Sequence, residues 1–137
     1  MRVELIAFTA RGNALAERLA AELTGAGCPA ACTREGLRVE EWAARAFGRS
    51  EALVFVGAAG IAVRAIAPCL RHKSTDPAVV VVDEAGRYAV PILSGHLGGA
   101  NDLARRIAAL TGAEAVLTTA TDVNGDFAAD QWARRQG

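Results

Sequence analysis

The sequence has few aromatic residues and no net charge. Aromatic side chains make up 5% of the 137 residues, so a buried core must be built mainly from smaller apolar groups. The formal net charge is zero, which gives the molecule no overall electrostatic attraction for nucleic acid. We therefore expect no nucleic-acid partner, and we expect any anionic ligand to be held by a local group of cations.

Long apolar runs and metal-type cysteine spacings are also absent from the sequence. No run is long enough to cross a bilayer, and the first stretch, MRVELIAFTARG, has Arg2 and Glu4 inside its only apolar run, so we do not expect it to be a signal peptide. The three cysteines, Cys28, Cys32 and Cys69, follow no zinc-site spacing. We expect a cytoplasmic protein with reduced thiols, no membrane contact and no protein-bound metal. The sequence carries no indication of an oligomeric state.

Short apolar runs alternate with amphipathic segments along the chain. Strands are predicted at Val3–Phe8, Ala52–Gly57, Pro77–Gly86, Tyr88–Leu93 and Ala113–Thr119, with a weak edge strand in CPAACTREG. Helices are predicted at Asn13–Leu23, at Val39–Phe47 and in the stretches AAGIAVRAIAP and GGANDLARRIAALTG. The pattern predicts one α/β domain over residues 1–137, in three layers with a mostly parallel sheet.

Two features refine this prediction. YAVPIL follows PAVVVVDEAG across a short turn, which indicates an antiparallel hairpin, and its Pro91 favours the sheet edge or a strand end. The final stretch, FAADQWARRQG, has a helical pattern with two aromatic residues and stops abruptly. We expect the chain to be the N-terminal part of a longer protein whose C-terminal domain is absent.

The segment SGHLGGAND lies between a predicted strand and a predicted helix, where open α/β sheets bind ligands. Its glycines would let the backbone approach a ligand, and the helix start would offer free N–H groups. His96 has an ordinary pKa near neutrality, which makes it the candidate proton-transfer group. The other candidate residues of this segment are Ser94, Gly95, Gly98, Gly99, Asn101 and Asp102. The alternative is a glycine-rich turn with a capping Asn.

The segment VGAAGIAVRAIAP repeats the order of strand, glycines and helix. Gly57 and Gly60 match neither a dinucleotide nor a Walker phosphate motif, so they give little support to nucleotide binding. The alanines between them would leave a smooth shelf for a flat ligand. Arg64, about one turn into the helix, is a candidate for carboxylate binding or simply a solvated residue.

The segment LRHKSTDPAVVVVD concentrates positive charge before a strand. Arg71 and Lys73 would bind ligand carboxylates through charge-assisted hydrogen bonds. The alternative is a solvated basic run, with Asp76 acting as a turn residue before Pro77.

The segment TTATDVNGDFAAD follows the last predicted strand. It places Thr119 and Asp122 at a sheet edge, as candidates for ligand contact. It lacks the terminal Glu of a calcium loop, so we predict no metal there. The alternative is a capped turn that starts a final helix.

Four motifs in this order, GAAGIAVRAIAP, KSTDPAVVVVDE, SGHLGGANDLA and TTATD, resemble the CbiG family of cobalamin-biosynthesis proteins. The resemblance runs from about Arg49 to Trp132. It implies a cobalt-precorrin-5A hydrolase, which opens a δ-lactone on a cobalt-bearing corrinoid precursor and releases acetaldehyde. It also implies a C-terminal domain, a tetrapyrrole substrate that carries its own cobalt, and hence no protein cofactor.

For such a substrate we expect the two glycine segments to lie at neighbouring strand ends and to line one shallow bay. The cations Arg64, Arg71 and Lys73 would meet the carboxylates of the macrocycle. The alternatives are a corrinoid-binding module without catalytic activity and, from architecture alone, a nucleotide-binding domain of the flavodoxin type.

Lactone opening needs a base to activate water and donors for the oxyanion. We expect His96 to be the base, with Ser94 or Asp102 assisting. The backbone amides of Gly98 and Gly99 are the expected donors.

Overall fold

The computed structural model describes residues 1–33, 36, 38–95 and 98–119. In chain order the elements are β1 (Val3–Ala7), α1 (Ala10–Gly25), β2 (Ala30–Thr33), α2 (Val39–Arg49), β3 (Ala52–Val56), α3 (Ala59–Ile66), β4 (Ala78–Val82), β5 (Tyr88–Leu93), α4 (Ala100–Thr111) and β6 (Glu114–Ala115). A 3₁₀ turn, Ala67–Cys69, follows α3. The predicted α/β class is confirmed. The predicted terminal helix, FAADQWARRQG, lies outside the described residues.

The strands form one six-stranded sheet in the order β2-β1-β3-β4-β5-β6. The first four strands in this order are parallel to one another, β5 is antiparallel to β4, and β6 is parallel to β5. The mostly parallel sheet, the antiparallel hairpin and the edge position of β2 are therefore confirmed. Strand β6 continues the sheet beyond the hairpin.

The helices cover both faces of the sheet, which gives the predicted three layers. Helices α1 and α4 pack on one face, and α2 and α3 pack on the other. Strands β3 and β4 are buried on both faces, which explains their uninterrupted apolar runs ALVFV and AVVVV. On the α2 side Trp42 packs edge-on against Phe55, with ring centroids 5.2 Å apart. Such a pair adds about 1 kcal/mol to the burial of the two rings.

Strand β6 is shorter than predicted. The predicted strand Ala113–Thr119 is reduced to two residues, and it is only partly buried. The N–H of Val116 donates to the carbonyl of Ala89 at 2.9 Å. The next β5 residue with its backbone towards β6 is Pro91, which has no N–H to donate. The ladder therefore ends there.

Within the described residues, no helix has the length and the apolarity that a bilayer crossing requires. All three cysteines, Cys28, Cys32 and Cys69, are free thiols.

Candidate functional site

The reversed direction of β5 separates the two glycine segments. Leu93, the last residue of β5, pairs with Val79 near the start of β4, whereas Gly57 follows the end of β3 and donates its N–H to Val82 at the end of β4. We call the edge where β1, β3 and β4 begin the amino edge, and the edge where they end the carboxyl edge. The expectation of one bay lined by both glycine segments is wrong, because they lie at opposite edges.

Most of the predicted site residues lie at the amino edge. Two loops meet there, the basic segment (residues 70–77) and the glycine segment (residues 94, 95, 98 and 99). Predicted site residues at this edge are Arg71, Lys73, Ser94, Gly95, Gly98, Gly99, Asn101, Asp102 and Thr119. Gly57 and Gly60 lie at the carboxyl edge, and Arg64 is exposed on α3. His96 and Asp122 lie outside the described residues.

Hydrogen bonds tie the glycine segment to the start of α4. The carbonyl of Ser94 accepts from Ala100 N–H at 3.2 Å, and the carbonyl of Gly95 accepts from Asn101 N–H at 3.0 Å. The helix start was expected to offer free N–H groups, but the first two N–H groups of α4 are already bound within the chain. The N–H groups of Gly98 and Gly99 have no acceptor among the described residues.

The chain itself requires two of these glycines. A Cβ on Gly98 would lie 2.5 Å from the Cβ of Ser94, and a Cβ on Gly95 would lie 2.7 Å from Oδ1 of Asn101. Both distances are too short for real contacts. We expected a ligand to explain these glycines, but the close approach of the loop to its own chain explains them already.

Ser94 links the two loops of the amino edge. Its backbone is left-handed, with φ of 55°, which costs a non-glycine residue about 1 kcal/mol or more. Its hydroxyl donates to the carbonyl of Asp76 at 3.1 Å. The Ser94 side chain thus joins the glycine segment to the basic segment.

Asn101 and Thr119 bring a third stretch of sequence to the same edge. Asn101 is 2% exposed, and its Nδ2 donates to Oγ1 of Thr119 at 3.0 Å. Asp102 differs from them, since its side chain is 88% exposed and pairs with Arg105 at 2.9 Å.

The basic segment is a closed turn with its cations outward. The N–H of Arg71 donates to both carboxylate oxygens of Asp76, at 3.1 and 3.2 Å, and Asp76 N–H donates to the carbonyl of His72 at 2.8 Å. The interpretation of Asp76 as a turn residue is confirmed. The side chains of Arg71 and Lys73 are exposed and have no ion-pair partner in the part of the chain that the structure describes.

A groove of about 590 Å³ runs between α2 and the basic segment. Its walls include Ala44, Phe47, Gly48, Arg71, Asp76 and Pro77. Phe47 is half-buried at this groove and also packs against the core on the α2 side, and Gly48 was not predicted as a site residue. The sequence signal for Gly48 is a glycine directly after a predicted helix, since glycine weakens a helix. In the structure no atom lies within 4 Å of the position that its Cβ would take.

An ion pair between buried Glu4 and half-exposed Arg49 fixes the end of α2 beside this groove. Glu4 is 5% exposed and accepts from Nη2 of Arg49 at 2.6 Å and from the Ser50 hydroxyl. The hydrogen bond from Arg49 holds the pKa of Glu4 below its ordinary value, against the opposing effect of burial. A single acid within the apolar run VELIAF is the sequence signal for this pair.

The thiol of Cys69 also lies at the groove wall. Burial raises its pKa, so the thiol is neutral at pH 7 and adds no negative charge there.

The carboxyl edge holds a second, more apolar crevice of about 370 Å³. Phe8, Gly57, Ala58 and Ile61 line it where the chain connections leaving β1 and β3 diverge, the usual ligand position in open α/β sheets. Its acids are already engaged. Glu84 accepts from the Thr9 hydroxyl at 2.6 Å, and the Asp83 carboxylate accepts three backbone N–H groups from the turn and the start of β5, at 3.2, 2.8 and 2.7 Å.

Metal ligation has no support at either edge. Within residues 1–33, 36, 38–95 and 98–119, no group of three or more His, Cys, Asp or Glu side chains is placed to hold a metal ion.

The sheet with two reversed strands, β5 and β6, and the loops that meet at its amino edge, define a three-layer α/β domain with a loop-built polar site. The chain belongs to the Cobalamin synthesis G N-terminal family, whose model matches residues 41–122. The resemblance to CbiG proteins is thereby confirmed.

Two curated relatives carry the name cobalt-precorrin-5A hydrolase. The protein from Salmonella typhimurium is 48% identical over an alignment that covers 93% of this chain and 38% of the relative. The protein from Priestia megaterium is 45% identical over an alignment that covers 66% of this chain and 24% of the relative. The chain therefore spans less than two fifths of the length of these relatives.

A solved structure supports the fold. It is described as a cobalamin biosynthesis protein G homolog from Sulfolobus solfataricus, and it superposes with a TM-score of 0.74 at 25% identity. The match covers 89% of this chain and 39% of that one.

Proposed function

We propose that this chain is the N-terminal part of a cobalt-precorrin-5A hydrolase and that its amino edge contacts the substrate. One observation carries this proposal. Three of the motifs that resemble the family, the basic segment, the glycine segment with Asn101, and the stretch ending at Thr119, are joined by hydrogen bonds at one edge. Relatives of that name, at 48% and 45% identity, support the reaction.

The proposed reaction consumes one water. A base takes a proton from water, the oxygen adds to the lactone carbonyl carbon, and the ring C–O bond breaks to give a carboxylate and an alcohol. The alcohol carbon bears the methyl group. When its C–C bond to the macrocycle breaks, the electron pair stays on the macrocycle, which takes up a proton, and the two-carbon fragment leaves as acetaldehyde.

His96 is the proposed base, because its ordinary pKa suits proton transfer near neutral pH. The N–H groups of Gly98 and Gly99, which have no described acceptor, are the proposed oxyanion donors. Ser94 would assist by holding the loop through Asp76.

Asp102 is retained as the other proposed assisting residue. Its exposed carboxylate would have to leave Arg105 before it could assist the base.

The substrate of this proposal is an apolar macrocycle that carries carboxylates and its own cobalt, so the protein needs no cofactor. Arg71 and Lys73 would bind those carboxylates. Asn101, Thr119 and Asp122 belong to the same proposed region. Gly57, Gly60 and Arg64 are no longer part of it, because the first two lie at the carboxyl edge and Arg64 lines neither cavity. A cytoplasmic location remains a prediction, as does contact with a C-terminal domain.

Cobalt-precorrin-5A and an acetaldehyde assay test the reaction. We expect the full-length protein to release acetaldehyde and His96→Ala to lose nearly all turnover while it still binds substrate. Normal turnover by His96→Ala would refute the role of the imidazole.

The second candidate is a corrinoid-binding module without catalytic activity. Its support is the length of the relatives, of which this chain spans 38% and 24%. If the 137-residue chain binds the substrate but releases no acetaldehyde, the module is favoured, whereas release by the chain alone favours the enzyme.

A further inference from the structure

The groove between α2 and the basic segment has the size and lining of a ligand site. Its volume of about 590 Å³ lies within the usual range of small-molecule pockets, about 300–1,000 Å³. Ala44, Phe47 and Pro77 give it apolar walls, and Gly48 leaves one wall without a side chain. A flat apolar ring edge would fit against such walls.

The charge of the groove favours an acidic ligand. The guanidinium of Arg71 has no ion-pair partner among the described residues. The one acid in the lining, Asp76, turns its carboxylate to the backbone N–H of Arg71, and the Cys69 thiol is uncharged at pH 7. A carboxylate that enters the groove can therefore pair with the guanidinium of Arg71, while the carboxylate of Asp76 is held by the backbone N–H of Arg71.

One residue of the groove lining contacts the glycine segment. Asp76 lines the groove, and its carbonyl accepts the Ser94 hydroxyl at 3.1 Å. Asp76 therefore connects the groove wall to the glycine segment.

We infer that this groove holds one rim of the acidic macrocycle, with the ring edge on Phe47 and Pro77 and a peripheral carboxylate on Arg71. This inference rests on the proposed function for the identity of the ligand. It adds α2 to the substrate site and assigns Phe47 and Gly48 to substrate contact.

Gly48→Leu tests the inference with little risk to the fold. Gly48 is exposed, no atom lies within 4 Å of its added Cβ, and leucine is the better helix former. Its side chain would occupy the groove. Gly60→Leu is the matched control, because Gly60 is also an exposed helical glycine with free space around it, but it lies at the carboxyl edge. Thermal unfolding of both variants checks that they are folded.

The probes are cobyrinic acid, a cobalt corrinoid with free carboxylic acids, and its methyl ester. Binding is measured by equilibrium dialysis with visible absorbance. We expect Gly48→Leu to weaken binding of the acid by about tenfold or more, as Arg71→Gln also would, and Gly60→Leu to stay within about twofold. The ester should bind wild type about as weakly as the acid binds Arg71→Gln.

Three other outcomes would each overturn the inference, and each points to a different explanation. If Gly48→Leu binds the acid like wild type, the groove is not the site, while the proposed function stands. If Gly60→Leu is the variant that loses binding, the ligand lies at the carboxyl edge. If the wild-type chain binds neither probe, the inference and the corrinoid ligand of the proposed function both fail.

Discussion

The two edges of the sheet differ in what they offer a ligand. The amino edge has a groove of about 590 Å³, a guanidinium that has no ion-pair partner among the described residues, and loops that are joined by hydrogen bonds through Ser94 and Asn101. The carboxyl edge has an apolar crevice of about 370 Å³ at the point where β1 and β3 send their connections apart. The general rule for open α/β sheets places ligands at the carboxyl edge, whereas most of the residues predicted for the site of this chain lie at the amino edge.

The difference shows how one strand direction relocates a site. The rule that ligands bind at strand carboxyl ends assumes parallel strands. Strand β5 runs the other way, so the loop after Leu93 reaches the edge where β4 and the strands parallel to it begin. The glycine segment does follow the carboxyl end of its own strand, β5. It nevertheless lies at the opposite edge of the sheet from the loop after β3.

The largest expected effect contrasts one glycine from each edge. Gly98→Ala would place a Cβ 2.5 Å from the Cβ of Ser94, and we expect a loss of about 2 kcal/mol in the free energy of unfolding. Gly60→Ala should be neutral or stabilise by up to about 1 kcal/mol, because it adds a better helix former in free space. Urea unfolding measures both. Equal stability of the two variants would contradict the packing described for the glycine segment.

The next effect concerns the ion pair beside the groove. Glu4→Gln should lower the free energy of unfolding by about 1.5 kcal/mol at pH 7, since a charge-assisted hydrogen bond is lost. Because folding lowers the pKa of Glu4, its contribution is present above the ordinary Glu pKa and is lost as pH falls through the lowered value.

Unfolding curves at a series of pH values therefore should show wild type and Glu4→Gln converging in acid. The control is Glu84→Gln at the carboxyl edge, whose exposed contact to Thr9 should contribute at most about 0.5 kcal/mol. A stability gap for Glu4→Gln that persists unchanged into acid would show that the charge of Glu4 is not its source.

A smaller effect compares two exposed cations, Lys73 and Arg64. We expect Lys73→Gln to weaken binding of an acidic cobalt corrinoid by about threefold, since its exposed ammonium offers a screened contact outside the groove lining. Arg64→Gln, on α3, should leave the affinity within about twofold, because Arg64 lines neither cavity. Isothermal titration at low and high salt measures both. A larger loss of affinity from Arg64→Gln than from Lys73→Gln would contradict binding of the acidic ligand at the amino edge.

The fold was predictable from the sequence because its signals are local. The runs ALVFV and AVVVV are apolar at every position, as strands buried on both faces must be, and the short DEAG turn indicated the hairpin. Pro91 was predicted to lie at the sheet edge or at a strand end. It lies within β5, between β4 and β6 in the sheet order, and the pairing with β6 stops before it.

The site was only partly predictable, because its geometry depends on contacts between distant segments. The hairpin was predicted, yet its consequence for the glycine segment was missed. The contact of Gly98 with Ser94 depends on a left-handed residue that no pattern marks. The groove forms because α2 packs beside the basic segment. Neither the sequence of α2 nor that of the basic segment predicts this contact.

Hydrogen exchange of the chain with and without a cobalt corrinoid tests most directly which edge binds the substrate. Our account predicts that ligand slows exchange in the last turns of α2, in the basic segment and around Gly98 and Gly99, and leaves residues 8–12 and 57–61 unchanged. Slower exchange at residues 8–12 and 57–61, with no change at the amino edge, would contradict it.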